Sequence, residues 1–409
     1  MKRSNATAFV LLVGLAGTSC QRLKTARISM ESSVRPIPAG ASSSSGPRLG
    51  LWVPNTILAL TVAGDESQSR LQLQFSRDGG DTFGEPIILT DPNAKVRGGG
   101  ENSPVLATNV QADIYAAWFQ SVAGNTQLMV KAVDPNPGKP VSILDADRNS
   151  QAYAGFPTLA ATHAGDVYVA WLDERDKAEG SSSVYFSRST DHGVTFSRNM
   201  RIAGSACDCC RPQIYVAPSG DIYLAWRQVF AGDVRDMVLA HSNDGGKTFS
   251  QPVRVAVDNW VLHACPDVGP AIGASNGRLY VAWYSEGQER PGIRLAISKN
   301  GGASFARPQI VSADVLDATH PRLSVSEDGR VLLTFQGRPA HEDTKWRSNQ
   351  AFIVGINGEK FTHPIQATNS EHSVHDPDVL AGTAGRLFLA WTESVNDRNQ
   401  AVLSRGWMR

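Results

Sequence analysis

The sequence predicts an all-β chain, a β-propeller of four-stranded antiparallel blades. Two interleaved repeats and the even spacing of short apolar runs predict it. The first repeat is a turn. Ser76-Arg77-Asp78-Gly79-Gly80-Asp81-Thr82-Phe83 returns as Ser189-Thr190-Asp191-His192-Gly193-Val194-Thr195-Phe196 and as Ser242-Asn243-Asp244-Gly245-Gly246-Lys247-Thr248-Phe249. A worn copy begins at Ser298 and ends at Phe305. Each position in the pattern S-x-D-x-G-x-T-F has a physical task. The Asp carboxylate accepts backbone N–H groups of its own turn. Gly supplies the positive φ, the hydroxyls tie the strand ends, and Phe enters apolar packing. The second repeat is a strand. Asp113-Ile114-Tyr115-Ala116-Ala117-Trp118 recurs in segments ending at Trp171, Trp226, Trp283, Phe335 and Trp391, and residues 57–62 fit the same slot. Such continuous apolar runs read as strands buried on both faces.

Seven units follow at an interval of roughly 55 residues, a propeller period. Within each unit a short strand starts near a Pro: Pro104, Pro157, Pro212, Pro270, Pro321 and Pro377. The Trp-ended strand follows, then a third strand running into the turn motif, then a fourth. The motif is missing or unrecognisable around 134–139 and 357–361 and in the last unit. That last unit ends at Arg409 without a fourth strand, and residues 34–38 could supply it. This arrangement favours seven blades. Six result if the first and last partial units merge.

The turn motif resembles the Asp box, or BNR repeat, of the sialidase superfamily, whose fold is a β-propeller. The box lies between outer strands, so the resemblance concerns architecture more than activity.

Composition narrows the function classes. Lys+Arg and Asp+Glu are both 39, so nucleic acid and anionic membrane surfaces are not expected partners. A basic start at Lys2 and Arg3, a short apolar run and small residues before Cys20 resemble a bacterial lipoprotein signal, although Gly17 stands where that family usually has Leu. The resemblance implies export and a lipidated Cys20 in the periplasm or on the cell surface, with anchoring to the outer membrane. An ordinary cleaved signal is the alternative. The domain reading is a signal at 1–19, an anchor and flexible tether at 20–46, and one propeller domain at 47–409, monomeric, touching membrane only through its lipid.

Loops entering the inner strands of a propeller converge at one mouth. The segments before the prolines hold Glu101, Asn102 and Ser103, then Gly155 and Phe156, then Cys209, Cys210 and Arg211, then Cys265 and Asp267, then Asp317 and His320, then His372, His375 and Asp376. Two readings of the cysteines stay open. One is a disulfide staple among Cys207, Cys209, Cys210 and Cys265, with a link to Cys265 the natural expectation. The other is a copper or zinc site from those four with His320 and His375.

The sialidase resemblance implies three arginines clamping a substrate carboxylate, a Tyr nucleophile with a Glu beside it, and an Asp acid. The family's Arg-Ile-Pro motif is missing: the nearest stretch, from Arg48 to Pro54, does not match. Arg211, Arg227 and Arg338 are the clamp candidates, with Tyr284, Glu286 and Asp173 for the chemistry. Glu174 and Glu393 occupy equivalent loops. The expected function is recognition or hydrolysis of a glycan at the mouth. Alternatives are a metal-binding or redox-related propeller and a non-catalytic propeller that binds a protein, with Phe156, Trp260 and Trp346 suited to ligand contact.

Overall fold

The structure is a computed structural model and describes residues 27–39, 44–52, 55–64, 68–109, 113–134, 138–149, 152–177, 181–287, 290–340, 348–396 and 398–409. The leader, Cys20, His341 and Trp346 lie outside the described residues. The described chain is nearly all strand, and its regular helices are single 3-10 turns such as Gly100–Asn102. No described helix is long and apolar enough to cross a membrane.

The strands pair into antiparallel meanders. Ser44–Trp52, Thr56–Gly64, Ser69–Ser76 and Ile87–Ile88 form one sheet, and Ala271–Ser275 through Gln309–Ile310 form another. The eight-stranded sheet holds two successive meanders joined at the single pair Ala206 and Gln228. As the segment 34–38 was expected to be able to do, Arg35–Pro36 pairs with the last strand, Arg398–Met408, and so does Ile28–Met30 from within the expected tether. The two chain ends therefore share one sheet. This closure ties the first described residues to the last by backbone hydrogen bonds, including Arg27 N–H to the Arg409 carbonyl at 2.8 Å.

Seven strands stand innermost: Ser44–Trp52, Val105–Thr108, Ala154–Ala161, Gln213–Val216, Ala271–Ser275, Val315–Val325 and Val374–Ala381. Each touches the next, and the last touches the first. Behind them run the Trp-ended strands, apolar on both faces because neighbouring sheets cover each side. Trp118, Trp171, Trp226 and Trp283 are wholly buried. A buried indole N–H needs an acceptor. Trp118, Trp171, Trp226 and Trp391 donate to the residue two places on, Gln120, Asp173, Gln228 and Glu393, at 2.8, 3.0, 2.8 and 2.9 Å.

The Asp boxes form as their chemistry requires. Asp244 accepts from the Lys247 and Thr248 N–H groups and from the Thr248 hydroxyl, at 2.9, 3.0 and 2.6 Å. Ser242 Oγ receives the Gly246 N–H at 3.0 Å. Asn300 performs the same task in the worn copy, receiving the Ser304 N–H at 3.0 Å. Gly246 sits at φ +77°, and a Cβ there would lie 2.7 Å from Phe186 of the preceding meander. Phe249 packs edge-on against that same Phe186, 5.1 Å between ring centroids. Gly302 approaches Leu239 of the meander before it in the same way. Each of these boxes thus closes its own turn and plugs the seam to the previous meander.

Candidate functional site at the propeller mouth

One local pattern builds the axial cavity. Gly46, Phe156, His320 and Asp376 have φ of 60, 61, 56 and 51°, and each precedes a Pro: Pro47, Pro157, Pro321 and Pro377. The strand register breaks at the same places. Each of these prolines lies inside its inner strand at the register break, where a bulge tolerates the missing N–H, and the left-handed residue before it re-aims the chain. The residue after each Pro then faces the axis. Arg48, Val105, Thr158, Gln213, Ala271, Arg322 and Asp378 line a cavity of about 200 Å³, together with Arg211. The opposite opening is wider, about 980 Å³, and is walled largely by turn segments such as 161–164 and 216–220. The charged side chains concentrate at the first end.

Three arginines meet there around one carboxylate, which the chain itself supplies. Glu101, 1% exposed, lies with Oε1 3.4 Å from Arg322 Nη2 and Oε2 3.7 Å from Arg211 Nε. Burial works to raise the Glu101 pKa, but Arg322, Arg211, His320 and Arg48 outweigh it and hold the group at about 2. Burial, with Arg322 beside it, pulls Arg211 down to about 9. Neighbouring loops grip the Glu101 turn. Asp376 accepts the Gly100 N–H at 3.3 Å, and Asn102 Nδ2 donates to Tyr153 Oη at 3.0 Å. Asn102 Oδ1 accepts the Phe156 N–H at 2.8 Å. Gly269 lets this packing happen, since a Cβ there would stand 2.2 Å from the Arg211 carbonyl and 3.0 Å from Glu101. Arg48 Nη2, Arg211 Nη1, Glu101 Oε2 and His320 Nδ1 are buried without hydrogen-bond partners among the described residues.

The expected clamp of Arg211, Arg227 and Arg338 is therefore not the trio that assembles. Arg211 belongs to it, and Arg48 and Arg322 complete it. Arg227 is fully buried, donates to the Val268 and Tyr284 carbonyls at 3.2 and 2.8 Å, and stacks on Trp260. Arg338 forms an ion pair with Asp317. Asp173 is buried between Arg148 and Arg175, 2.9 and 2.8 Å away, and accepts Trp171. Those donors lower its pKa against the opposing effect of burial. Its bonds are those of a structural counter-ion. Tyr284 Oη donates to Glu286 at 2.6 Å, and both share a pocket of about 360 Å³ with Trp260, Cys265 and Asp317. Burial and then Glu286 push the Tyr284 phenol upward. None of these pocket residues lines the axial cavity that Arg48, Arg211 and Arg322 do.

The cysteines gather beside that pocket. Cys209 and Cys265 form a disulfide, and Cys207 and Cys210 are buried thiols with sulfurs 3.1 Å apart. Cys207 Sγ is also 4.0 Å from Cys209 Sγ and receives Arg235 Nη1 at 3.1 Å. The hydrogen bond with Cys210, then Arg227 and Arg235, brings Cys207 down to about 6, whereas burial drives Cys210 well up. The sulfurs of Cys207, Cys209 and Cys265 lie within 4.8 Å of one another, and no imidazole joins that group among the described residues. His320 instead faces Glu101, and His375 sits in a ladder pair with Thr392.

Sequence reasoning passed over Arg48 and Arg322 and left Glu101 without a role. The signal was present: each of the two arginines directly follows a proline in an inner-strand segment, Pro47 and Pro321.

A BNR repeat-like domain model matches residues 156–333. None of the curated proteins matches the chain. Among solved structures, a Dyadobacter fermentans protein of unknown function is similar at 14% identity and TM-score 0.56, over 95% of this chain and 100% of that one. Polysaccharide lyase Uly1 is similar at 14% identity and TM-score 0.52, over 88% and 89%. A variant of NanB sialidase from Streptococcus pneumoniae is similar at 11% identity and TM-score 0.51, over 91% and 70%. With its Asp boxes formed and its sheets set around an axis, the chain has a BNR/Asp-box β-propeller fold similar to that of these solved structures.

Proposed function

We infer that this protein recognises a glycan at the mouth framed by Arg48, Arg211 and Arg322, and that it does not hydrolyse sialosides. One observation carries the reading: Glu101 already lies between Arg211 and Arg322, where a carboxylate ligand would go. A sialic acid would have to displace a buried carboxylate held on both sides. The ligand is then a neutral or weakly polar sugar that meets the rim, with Phe156 and His320 as contacts and the arginines holding the floor. The fold shared with a sialidase and a polysaccharide lyase supports the carbohydrate class. The test is a glycan array with the full chain beside a fluorogenic sialoside assay. Array binding that His320→Ala weakens, with no sialoside cleavage, is expected. Cleavage by the unmodified protein overturns the non-hydrolytic reading, and a silent array overturns the glycan class.

The Tyr284–Glu286 pair favours a second reading, hydrolysis in the side pocket. It predicts glycosidase activity that Tyr284→Phe abolishes. Absence of turnover over a panel of glycosides removes it.

A further inference from the structure

Four sulfurs in one corner are more than a staple needs. A staple uses Cys209 and Cys265 alone. Here a second pair, Cys207 and Cys210, has the Cys-x-x-Cys spacing of dithiol centres, sulfurs 3.1 Å apart, and it lies against the disulfide. We propose that Cys207, Cys210, Cys209 and Cys265 form a thiol–disulfide exchange centre, which passes electrons between a buried dithiol and a disulfide exposed at Cys265 and serves an external thiol or disulfide through Cys265.

The geometry supplies each part. Cys207 Sγ, 4.0 Å from Cys209 Sγ, is the attacking atom, and Arg235 donates to it at 3.1 Å. A cationic hydrogen bond of this kind favours thiolate, the nucleophilic form. The Asp267 N–H reaches Cys209 Sγ at 3.3 Å and stabilises charge on that sulfur when it leaves. Cys265 is exposed and opens on the pocket of about 360 Å³ with Trp260, Tyr284 and Asp317. The steps balance without an outside oxidant. Cys207 thiolate attacks Cys209 Sγ, the Cys207–Cys209 bond forms, and Cys265 leaves as thiolate. Cys210 then attacks Cys207, the Cys207–Cys210 bond forms, and Cys209 leaves. Two electrons move to the Cys209/Cys265 pair, and the protons of Cys207 and Cys210 end on Cys209 and Cys265. An external disulfide reoxidises the Cys209/Cys265 pair through Cys265, and an external thiol enters by attack on Cys265.

A thiolate metal site is the competing use of the same atoms. Arg227 and Arg235 both bring positive charge to Cys207, which favours a bare thiolate and opposes a cation. The proposal stands apart from the glycan reading, because it uses no axial residue.

The test is thiol mapping on the full chain in graded reduced and oxidised glutathione, with differential alkylation and non-reducing peptide mass spectrometry. A Cys207–Cys210 disulfide with alkylated Cys209 and Cys265, and glutathione captured at Cys265, is expected at intermediate poise. Cys210→Ser should stop the relay at the Cys207–Cys209 bond and leave Cys265 free, and Cys207→Ser should abolish the rearrangement. If either variant fails to fold, the wild-type map decides alone. Cys209–Cys265 as the sole bond at every poise overturns the proposal. So does zinc or copper that copurifies and protects all four thiols.

Discussion

Removing the Glu101 carboxylate tests both the construction of the mouth and the claim that its arginine trio is already occupied. In Glu101→Ala, the side chains of Arg211 and Arg322, 3% and 11% exposed, lose the carboxylate 3.7 and 3.4 Å away, and buried Arg48 stays beside them. Breaking a buried ion pair from one side costs about 3–5 kcal/mol. At an unfolding entropy of about 2.1 cal/mol/K per residue, a wheel of this length that melts as one unit should lose about 5 °C in Tm. Acetate should then act as a replacement part. At about 100 times its Kd it would restore about 2.7 kcal/mol, most of the loss. Glu101→Gln fills the same space without charge, so it should be destabilised and should not respond to acetate. The pH dependence follows with a definite sign. The Glu101 pKa is lowered from the usual 4.5 to about 2 on folding, so its contribution is complete above 4.5 and fades as pH falls through about 2. The difference in stability between wild type and Glu101→Gln should therefore shrink below pH 4.5. Differential scanning fluorimetry across pH, with and without acetate, reads all of this. Unchanged Tm in both variants, or acetate stabilising wild type equally, would refute the argument that Glu101 is the ligand of the trio.

Gly246→Ala, at φ +77° with Phe186 2.7 Å from the new Cβ, should cost about 1–3 kcal/mol in chemical denaturation, whereas Gly277→Ala, with nothing near, should cost only its backbone strain. Asp244→Ala should lower Tm, and Asp244→Asn should lower it less, because Asn300 already holds the equivalent turn. Trp226→Ala empties a wholly buried site and should cost about 3–5 kcal/mol by the same measurement. Gly269→Ala should displace the Arg211 carbonyl and Glu101 together, so its Tm loss should not add to that of Glu101→Ala in a double-mutant cycle.

The repeats alone determined the fold class, because both the turn and the strand are local devices. An Asp two residues after Ser242 and a Gly two after Asp244 close a turn whatever lies beyond it, and an apolar run ending in Trp226 must be covered on both sides. The prolines at 104, 212 and 270 likewise stand just before inner strands, whereas those at 157, 321 and 377 fall inside them, at register breaks. What the sequence left open is which long-range partners a side chain meets. Arg48 and Glu101 are 53 residues apart and Arg322 another 221, and only closure around an axis brings them together. The same holds for Cys209 and Cys265, whose bond spans 56 residues. Arg227 and Asp173 show the reverse case. They occupy loop positions that face a mouth on paper, yet buried carbonyls and neighbouring guanidiniums absorb them. A local pattern sets backbone conformation, since its hydrogen bonds lie within a few residues. Charge pairing at the hub is decided by distance in space, which the chain order does not contain.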